Sequence, residues 1–285
     1  MRVRWFGLFL SLAVAFLLSS CSIFDGEPLE PAYLFIDTFS VTADPITQGS
    51  GTEKVQDGWV YINGQQLGVF QLPTTIPVLD TGMVEITVFG GVKENGLTGL
   101  STIYPFYRGY ELERQLVPFQ TDTLTPAVTY QSGLSFLFLE RFEIGNGFSV
   151  TSPGNVALSI TTNPDEVLEG NRSAVALIDS TNYLRITTDP VTLPPVGQPV
   201  WAEIDYKCNT EFEFWLTGFY AGGVPVSSYM ISVPPRDSWN KIYLNLGVKV
   251  QQFQADSYGL EIRALKNDSL DTGILYFDNI KIVAF

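Results

Sequence analysis

The sequence predicts an all-β protein with two β-sandwich domains. Short segments in which apolar and polar residues alternate recur along the chain, and a period of two is typical of strands with one buried face. Aromatic residues make up 13% of the 285 residues, with 25 glycines and 17 prolines, a composition that favours strands and turns. We expect a small sandwich over residues 32–119, a linker over residues 120–134 and a longer sandwich over residues 135–285.

The N-terminal residues have the features of an export signal. Two basic residues, Arg2 and Arg4, precede an apolar run from Trp5 to Leu18, which is shorter than the ~18 residues that a spanning helix needs. The run ends in Leu17-Leu18-Ser19-Ser20-Cys21. This pattern resembles a bacterial lipobox, and the resemblance implies that the Cys21 thiol is acylated, for example with palmitate, and becomes the mature N-terminus. A plain signal peptide or a transmembrane anchor are the alternatives.

The lipobox resemblance sets the expected location. Residues 1–20 would be a signal peptide and residues 21–31 a tether, and the lipid on Cys21 would make the membrane a partner. Ser22 stands where an Asp often marks inner-membrane retention, so we expect an outer-membrane lipoprotein. Asp25, Glu27 and Glu30 make the tether acidic, which is similar to the signals that send some lipoproteins to the cell surface.

Charge and composition exclude several functions. Without residues 1–20, which contain Arg2 and Arg4, 14 basic residues face 30 acidic ones, a net charge of −16. Such a surface repels nucleic acid, which is therefore not an expected partner. The chain has no histidine, which excludes Ser-His-Asp and Cys-His catalysis and His-ligated zinc. Once Cys21 is lipidated, Cys208 has no partner within the chain, and we expect a buried, inert thiol there.

The first domain shows short strands and one strong turn signal. Asn63-Gly64 separates the strand-like runs 59–62 and 66–72, and Asn-Gly in this setting predicts a two-residue hairpin. Together with Val84-Glu85-Ile86-Thr87-Val88, this run resembles PEGA-like domains of bacterial surface proteins, although the Pro-Glu-Gly-Ala motif is missing. The resemblance implies a small immunoglobulin- or PEGA-like sandwich that acts as a spacer or interaction module. Residues 98–107 are expected to form an edge segment, because Pro105 cannot donate to a strand ladder.

The segment from Gln120 to Gly133 predicts a linker between the two domains. It is rich in threonine, contains Pro126 and lacks strong alternation, so a boundary is expected there.

The second domain has longer and clearer strands. Alternation is evident in 156–160, 202–208, 212–216, 242–246 and 258–262, no helix of length is expected, and eight or more such strands fit a jelly roll. Phe142-Glu143, Trp239-Asn240-Lys241-Ile242 and the closing run from Tyr276 to Ile282 resemble galactose-binding-like, carbohydrate-binding-module jelly rolls. The resemblance implies a non-catalytic glycan-binding domain.

The same resemblance implies one cofactor, a structural calcium ion. In such jelly rolls an Asp of the closing strand and a Glu after the first-strand Phe share the metal, and these positions match Asp278 and Glu143, with Glu140 a weaker third. Calcium prefers oxygen ligands. Asp278 is expected on the same strand face as Ile280 and Ile282, where a carboxylate needs compensation. The alternative is a hydrogen bond from a nearby backbone amide.

The outward faces of the middle strands predict a sugar site. If Phe212, Phe214, Ile242 and Leu244 point into the core, the alternate positions point outward. A flat ring covers the apolar face of a sugar, and charged groups bind its hydroxyls. The expected ligand-binding residues are Trp215 and Tyr243 for stacking, Glu213 and Arg263 for hydroxyls, and Trp201 and Glu203 nearby. Ordinary strand surface is the alternative.

A weaker pattern concerns catalysis. The run Trp201-Ala202-Glu203-Ile204-Asp205 resembles part of the Glu-x-Asp-x-x-Glu strand of laminarinase-type glycosidases, with Glu203 as nucleophile. Lys207 and Cys208 stand where the acid/base Glu should be, and retaining hydrolysis needs a second carboxyl about 5 Å away. We therefore expect a non-enzymatic glycan-binding lipoprotein. A structural or adaptor component of an envelope protein complex is the alternative, and a glycoside hydrolase with a degenerate motif ranks third.

Overall fold

The computed structural model describes residues 29–267 and 269–285. These residues form 21 strands and one short helix, which confirms the predicted all-β class. None of the helices in this part of the chain has the length and hydropathy of a membrane span. Cys21, the predicted signal peptide and most of the predicted tether lie outside the described residues.

The first domain contains ten strands. Their bounds are β1 (Ala32–Ile36), β2 (Ser40–Thr42), β3 (Asp57–Ile62), β4 (Gln65–Gln71), β5 (Thr74–Val78), β6 (Gly82–Lys93), β7 (Ser101–Ile103), β8 (Tyr110–Leu116), β9 (Thr121–Leu124) and β10 (Ala127–Thr129). One sheet has the order β4-β3-β6-β7, with β8 also paired to β6. The order β5-β1-β9 forms a second sheet, and β10 pairs with β2. The apolar faces of these sheets share one core.

The Asn63-Gly64 turn is confirmed. It joins β3 to β4, with Ile62 opposite Gln65. Both turn residues have positive φ, 50° at Asn63 and 75° at Gly64. That conformation matches the twist of the two flanking strands, which explains why Asn-Gly is found here.

The predicted linker over residues 120–134 is corrected. Its residues form β9, which pairs in parallel with β1, and β10, which pairs in parallel with β2. Leu124 and Val128 are buried in the core of the first domain. The segment therefore completes the first domain, and the change of domain falls between Tyr130 and the first strand of the second sandwich at Ser135.

The second domain is a sandwich of two sheets. Its strands are β11 (Ser135–Glu140), β12 (Phe148–Val150), β13 (Ser159–Thr161), β14 (Ser173–Ile178), β15 (Leu184–Thr188), β16 (Val200–Cys208), β17 (Phe212–Phe219), β18 (Val226–Val233), β19 (Arg236–Asn245), β20 (Ser257–Ala264) and β21 (Gly273–Ala284). The six-stranded sheet has the order β13-β14-β21-β16-β19 with β11 on β21, and the five-stranded sheet has the order β12-β15-β20-β17-β18. The helix α1 (Gly247–Phe253) follows β19.

Alternation along these strands fills the core between the two sheets. Phe212, Phe214 and Leu216 of β17 face Ile204 of β16 across it. Cys208 is buried, as predicted, and burial raises the pKa of its thiol to about 11. A thiol in this state is neutral and inert.

The outer face of the six-stranded sheet packs against the first domain. Trp201, Tyr243 and Val283 of this sheet belong to the apolar core of the first domain. Tyr104 of the first domain packs edge-on against Trp201, with ring centroids 5.6 Å apart. The first domain thus covers part of the outer face of the six-stranded sheet. None of the described residues of the five-stranded sheet belongs to the core of the first domain.

Candidate functional site

The structure divides the predicted sugar-binding residues between two sheets. Glu213 and Trp215 lie on β17 and Arg263 on β20, in the five-stranded sheet. Tyr243 lies on β19, in the six-stranded sheet. All point away from the core, as the alternation predicted, but the outer faces of two packed sheets are on opposite sides of a sandwich. Trp215 and Tyr243 therefore cannot stack on one sugar, and their pairing is corrected.

Tyr243, Trp201 and Glu203 are removed from the accessible surface. They expose 2%, 4% and 0% of their surfaces, respectively. The cover is the first domain, since the Tyr243 hydroxyl lies 3.2 Å from that of Tyr107, and the Tyr104 hydroxyl donates to Glu203 at 2.7 Å. These three residues form part of the domain interface rather than a ligand site. Their burial also contradicts the glycosidase alternative, which needs Glu203 to reach a substrate.

The other three predicted residues come together on the five-stranded sheet. The Arg263 guanidinium stacks on Trp215, 3.7 Å from the ring centroid. The Trp215 indole Nε1 donates to Glu213 at 2.7 Å, and Tyr229 packs edge-on against the indole. Glu213 and Arg263 are directly opposite each other on neighbouring strands. Because Arg263 covers one face of the indole, a ligand can use only the remaining face and edge.

Two further residues, Glu261 and Arg185, complete this cluster. The Glu261 carboxylate accepts hydrogen bonds from Nε of Arg185 at 2.5 Å and from Nε of Arg263 at 2.6 Å. Burial alone would raise the pKa of Glu261, but hydrogen bonds from Arg263, Thr217 and Arg185 outweigh it and lower that pKa to about 2. Glu261 is therefore ionised and fixes both guanidinium groups. Arg185 stands between the apolar residues Leu184 and Ile186, so alternation alone could have predicted that its side chain points outward on this sheet.

We call Arg185, Glu213, Trp215, Glu261 and Arg263 the arginine–tryptophan surface. Beside it lies a cleft of about 450 Å³, to which Arg185, Glu213 and Arg263 contribute. This volume lies within the range of about 300–1,000 Å³ that is usual for small-ligand sites. The remaining walls combine the ring of Tyr183 with the apolar residues Pro153 and Leu265 and the carboxylate of Glu211. The cleft is thus concave, with apolar walls and a few fixed polar groups.

The predicted calcium ligands also share a cleft. Glu143 and Asp278 both line a space of about 270 Å³, together with Glu169. Asp278 does not share the core face with Ile280 and Ile282, which corrects its predicted orientation. The reason is an irregularity in β21, where Asn279 has a positive φ of 46° and the pairing with β16 shifts register.

Protein groups already satisfy these carboxylates. Glu143 accepts hydrogen bonds from the backbone amides of Asn171 and Arg172 at 2.8 and 3.2 Å. The Ser173 hydroxyl donates to Asp278 at 2.7 Å, and burial raises the pKa of Asp278 to about 7. Glu140 accepts from two other backbone amides and does not line this space. Within residues 29–267 and 269–285, no group of three or more acidic, histidine or cysteine side chains has the arrangement of a metal site.

Comparisons with known proteins give structural similarities only. No protein family and no curated protein matches the chain. A CBM22-1 xylan-binding domain from Paenibacillus barcinonensis is 14% identical, with 53% of this chain and 94% of that chain covered and a TM-score of 0.39. A family 11 carbohydrate-binding module from Clostridium thermocellum, in complex with a mixed-linked tetrasaccharide, is 14% identical over 50% of this chain and 92% of that chain, with a TM-score of 0.36.

A further similar structure, from a study of carbohydrate-binding modules of the β-sandwich superfamily, covers more of the chain. It is 14% identical over 79% of this chain and 84% of that chain, with a TM-score of 0.40. All these similarities are at low identity, and none of them identifies a ligand for this chain.

Proposed function

We propose that the second domain is a non-catalytic glycan-binding module and that it binds its ligand at the arginine–tryptophan surface and the adjoining cleft. The observation that carries this proposal is the pair of arginines held by Glu261 beside a partly buried tryptophan and a concave, partly apolar cleft. Sugars need this combination, because a ring covers their apolar face while charged groups bind their hydroxyls.

The fixed geometry of the arginines supports binding over an ordinary strand surface. Long side chains on an exposed strand lose rotamer entropy when a ligand orders them. Arg185 and Arg263 are already ordered by Glu261, and Arg263 is also stacked on Trp215. The concave shape supports a small ligand over the alternative, an adaptor in an envelope complex, for which a flat apolar patch would be expected.

The test of this proposal is a Trp215→Ala substitution in the purified full-length protein in neutral detergent. We expect loss of binding on a glycan array, because the substitution removes the ring and the support of Arg263. The melting temperature should change by no more than about 2–4 °C, as for a partly exposed position. The matched control is Trp239→Ala, a partly exposed tryptophan on the six-stranded sheet, which should bind as the wild type does. Equal glycan binding by the Trp215→Ala protein would overturn the proposal.

We also propose that the protein is a lipoprotein of the outer membrane, anchored through lipid on Cys21 and exposed at the cell surface. The support is the lipobox Leu17-Leu18-Ser19-Ser20-Cys21 after a short apolar run. The mass of the N-terminal peptide from the membrane form should include acyl chains on Cys21, and a Cys21→Ala protein should lack them. An unmodified Cys21 in that peptide would contradict the anchor.

A further inference from the structure

A second cleft lies where the two domains meet, and its charge is opposite to that of the molecule. The first domain contributes Lys54 and Asn95, and the second domain contributes Tyr206, Arg236 and Asn240. No aspartate or glutamate is among the residues that line it. The chain has 30 acidic and 16 basic residues. A cleft lined by lysine and arginine with no carboxylate is therefore unusual for this protein.

Two cations of this cleft, Lys54 and Arg236, lack acidic partners. Across residues 29–267 and 269–285, neither Lys54 nor Arg236 lies within salt-bridge distance of a carboxylate. The Lys54 ammonium instead donates to the side-chain oxygen of Asn240 at 2.6 Å. The neighbouring Glu53 does not line the cleft, and its carboxylate accepts a hydrogen bond from the backbone amide of Val55 at 2.6 Å. Burial and the neighbouring Arg236 charge both lower the pKa of Lys54, as expected where two cations approach without a counter-charge.

Neutral donors of the cleft are also available. The Asn240 amide donates to the Tyr206 hydroxyl oxygen at 2.5 Å, which leaves the hydroxyl proton of Tyr206 free to donate elsewhere. Lys241 contributes its side chain to the wall, but its ammonium is neutralised by Glu203 and Asp205 at 3.2 and 3.4 Å. The active donors are therefore Lys54, Arg236 and Tyr206, a set that suits a single oxyanion.

The size and position of the cleft indicate what carries the anion. Its volume of about 240 Å³ is more than a lone inorganic ion fills. The cleft also adjoins the proposed glycan site. Ser232 lines this cleft and Glu211 lines the other, and the Ser232 hydroxyl donates to the Glu211 carboxylate at 2.5 Å. This hydrogen-bonded pair connects the walls of the two clefts, which places them next to each other.

We propose that this interdomain cleft binds the carboxylate of an acidic saccharide, with Lys54 and Arg236 pairing the charge and the Tyr206 hydroxyl donating to it. The saccharide part of this inference rests on the proposed function, whereas the anion part does not. The glycan ligand would then be one that contains uronic acid or a similar acidic sugar. Since the chain as a whole has a net negative charge and Arg185 and Arg263 are paired with Glu261, we expect this cleft to make most of the difference between the affinities for acidic and neutral sugars.

The test compares D-glucuronate, D-glucose and sulfate by saturation-transfer NMR titration of the full-length protein in neutral detergent. We expect glucuronate to bind at least tenfold more tightly than glucose and to weaken as salt is added. A Lys54→Gln/Arg236→Gln variant should lose at least tenfold in glucuronate affinity with no change for glucose. The matched control is Arg108→Gln/Arg172→Gln, which removes two exposed charges elsewhere and should leave both affinities unchanged.

Three results would overturn the inference. These are equal affinities for glucuronate and glucose, glucuronate binding that survives the Lys54→Gln/Arg236→Gln change, and sulfate binding as tight as that of glucuronate, which would mark a simple anion site. Circular dichroism of each variant separates loss of binding from loss of fold. Failure of the proposed function is distinguishable, because it would appear as unchanged glycan binding by the Trp215→Ala protein while glucuronate binding still depends on Lys54 and Arg236.

Discussion

Asp278 is a carboxyl group whose ionisation opposes folding. It is buried in the native state with a pKa raised to about 7, whereas the ordinary value is 3.8. Burial is the main cause, and hydrogen bonds from Ser173 and the Asn279 amide only partly offset it. Between about pH 4 and pH 7 the native state therefore holds a proton that the unfolded state has released, and stability falls as the pH rises through this range.

An Asp278→Asn substitution should remove this pH dependence. The asparagine side chain has the same shape as that of aspartate, and its oxygen can still accept a hydrogen bond from the backbone amide of Asn279. Unlike a carboxyl group, it does not ionise. We expect the variant to gain stability relative to wild type as the pH rises from 4 to 7.5, with an upper limit of about 4 kcal/mol. Thermal melts in chelator at both pH values give the measurement. A difference in melting temperature that does not change with pH would contradict the burial argument.

We retain calcium binding by Glu143 and Asp278 as a proposal, and it gives a separate prediction at the same residue. A bound cation favours the ionised carboxylate and stabilises only the folded state, by about 2.7 kcal/mol when its concentration is a hundredfold above Kd. Wild-type protein should then melt at a higher temperature in calcium than in chelator, while Asp278→Asn should not. Identical wild-type melts in both conditions would leave Asp278 with hydrogen bonding as its only role.

At the residue scale, alternation predicted which side chains point away from the core, but it did not predict which of them the other domain buries. The side chains of Tyr243 and Trp215 both point away from the core of the second domain, yet the first domain buries Tyr243 whereas Trp215 stays partly exposed. The direction in which a strand side chain points follows from its neighbours in the sequence. Whether another part of the protein buries that side chain depends on contacts between residues far apart in the chain, such as that of Tyr107 with Tyr243. This is why half of the predicted sugar-binding set became interface.

At the scale of elements, β9 and β10 are strands that the sequence pattern did not predict. They have four and three residues, which is too short for alternation to stand out, and threonine and proline around them also suit a loop. Their identity as strands comes from the partners β1 and β2, about 90 residues earlier in the chain. Longer strands such as β16 and β17, with clear alternation, were predicted correctly.

The corrected position of β9 and β10 predicts protease resistance. A brief digestion of the folded full-length protein with a nonspecific protease should leave residues 121–129 uncut, because a strand in a sheet cannot enter the protease active site without local unfolding. The loop around Val224, which exposes 81% of its surface, serves as the internal reference and should be cut earlier. If peptide mapping finds the first cuts within residues 121–129, this segment is a linker and its assignment to two strands is wrong.

At the scale of the whole molecule, the domain interface has a buried polar centre. Glu203 accepts from the hydroxyls of Tyr104 and Tyr130 at 2.7 Å each. Lys241 and Lys281 approach its other oxygen at 3.2 and 3.9 Å. Such a group is satisfied only when both domains are in place, because the tyrosines come from the first domain and the charges from the second.

We therefore expect the two domains to unfold as one unit. A Glu203→Gln substitution leaves Lys281 buried without its counter-charge, and breaking a buried pair costs about 3–5 kcal/mol. For a protein of this size that corresponds to a melting temperature lower by roughly 6–20 °C. Calorimetry should show a single transition for wild type and variant, with the exposed Glu111→Gln as the control. Two separate transitions in wild type would show that the domains are independent.

The position of β1 has a mechanical consequence. It is the first strand after the expected tether, and it is hydrogen-bonded along both edges, antiparallel to β5 and parallel to β9. A pull on residue 29 along the axis of β1 would make the strand slide past both neighbours, with all of its ladder bonds loaded together. Bonds loaded in shear fail at higher force than bonds opened one after another. A pull along this strand from the expected tether would therefore meet more resistance than a pull that opens the ladder bonds one after another.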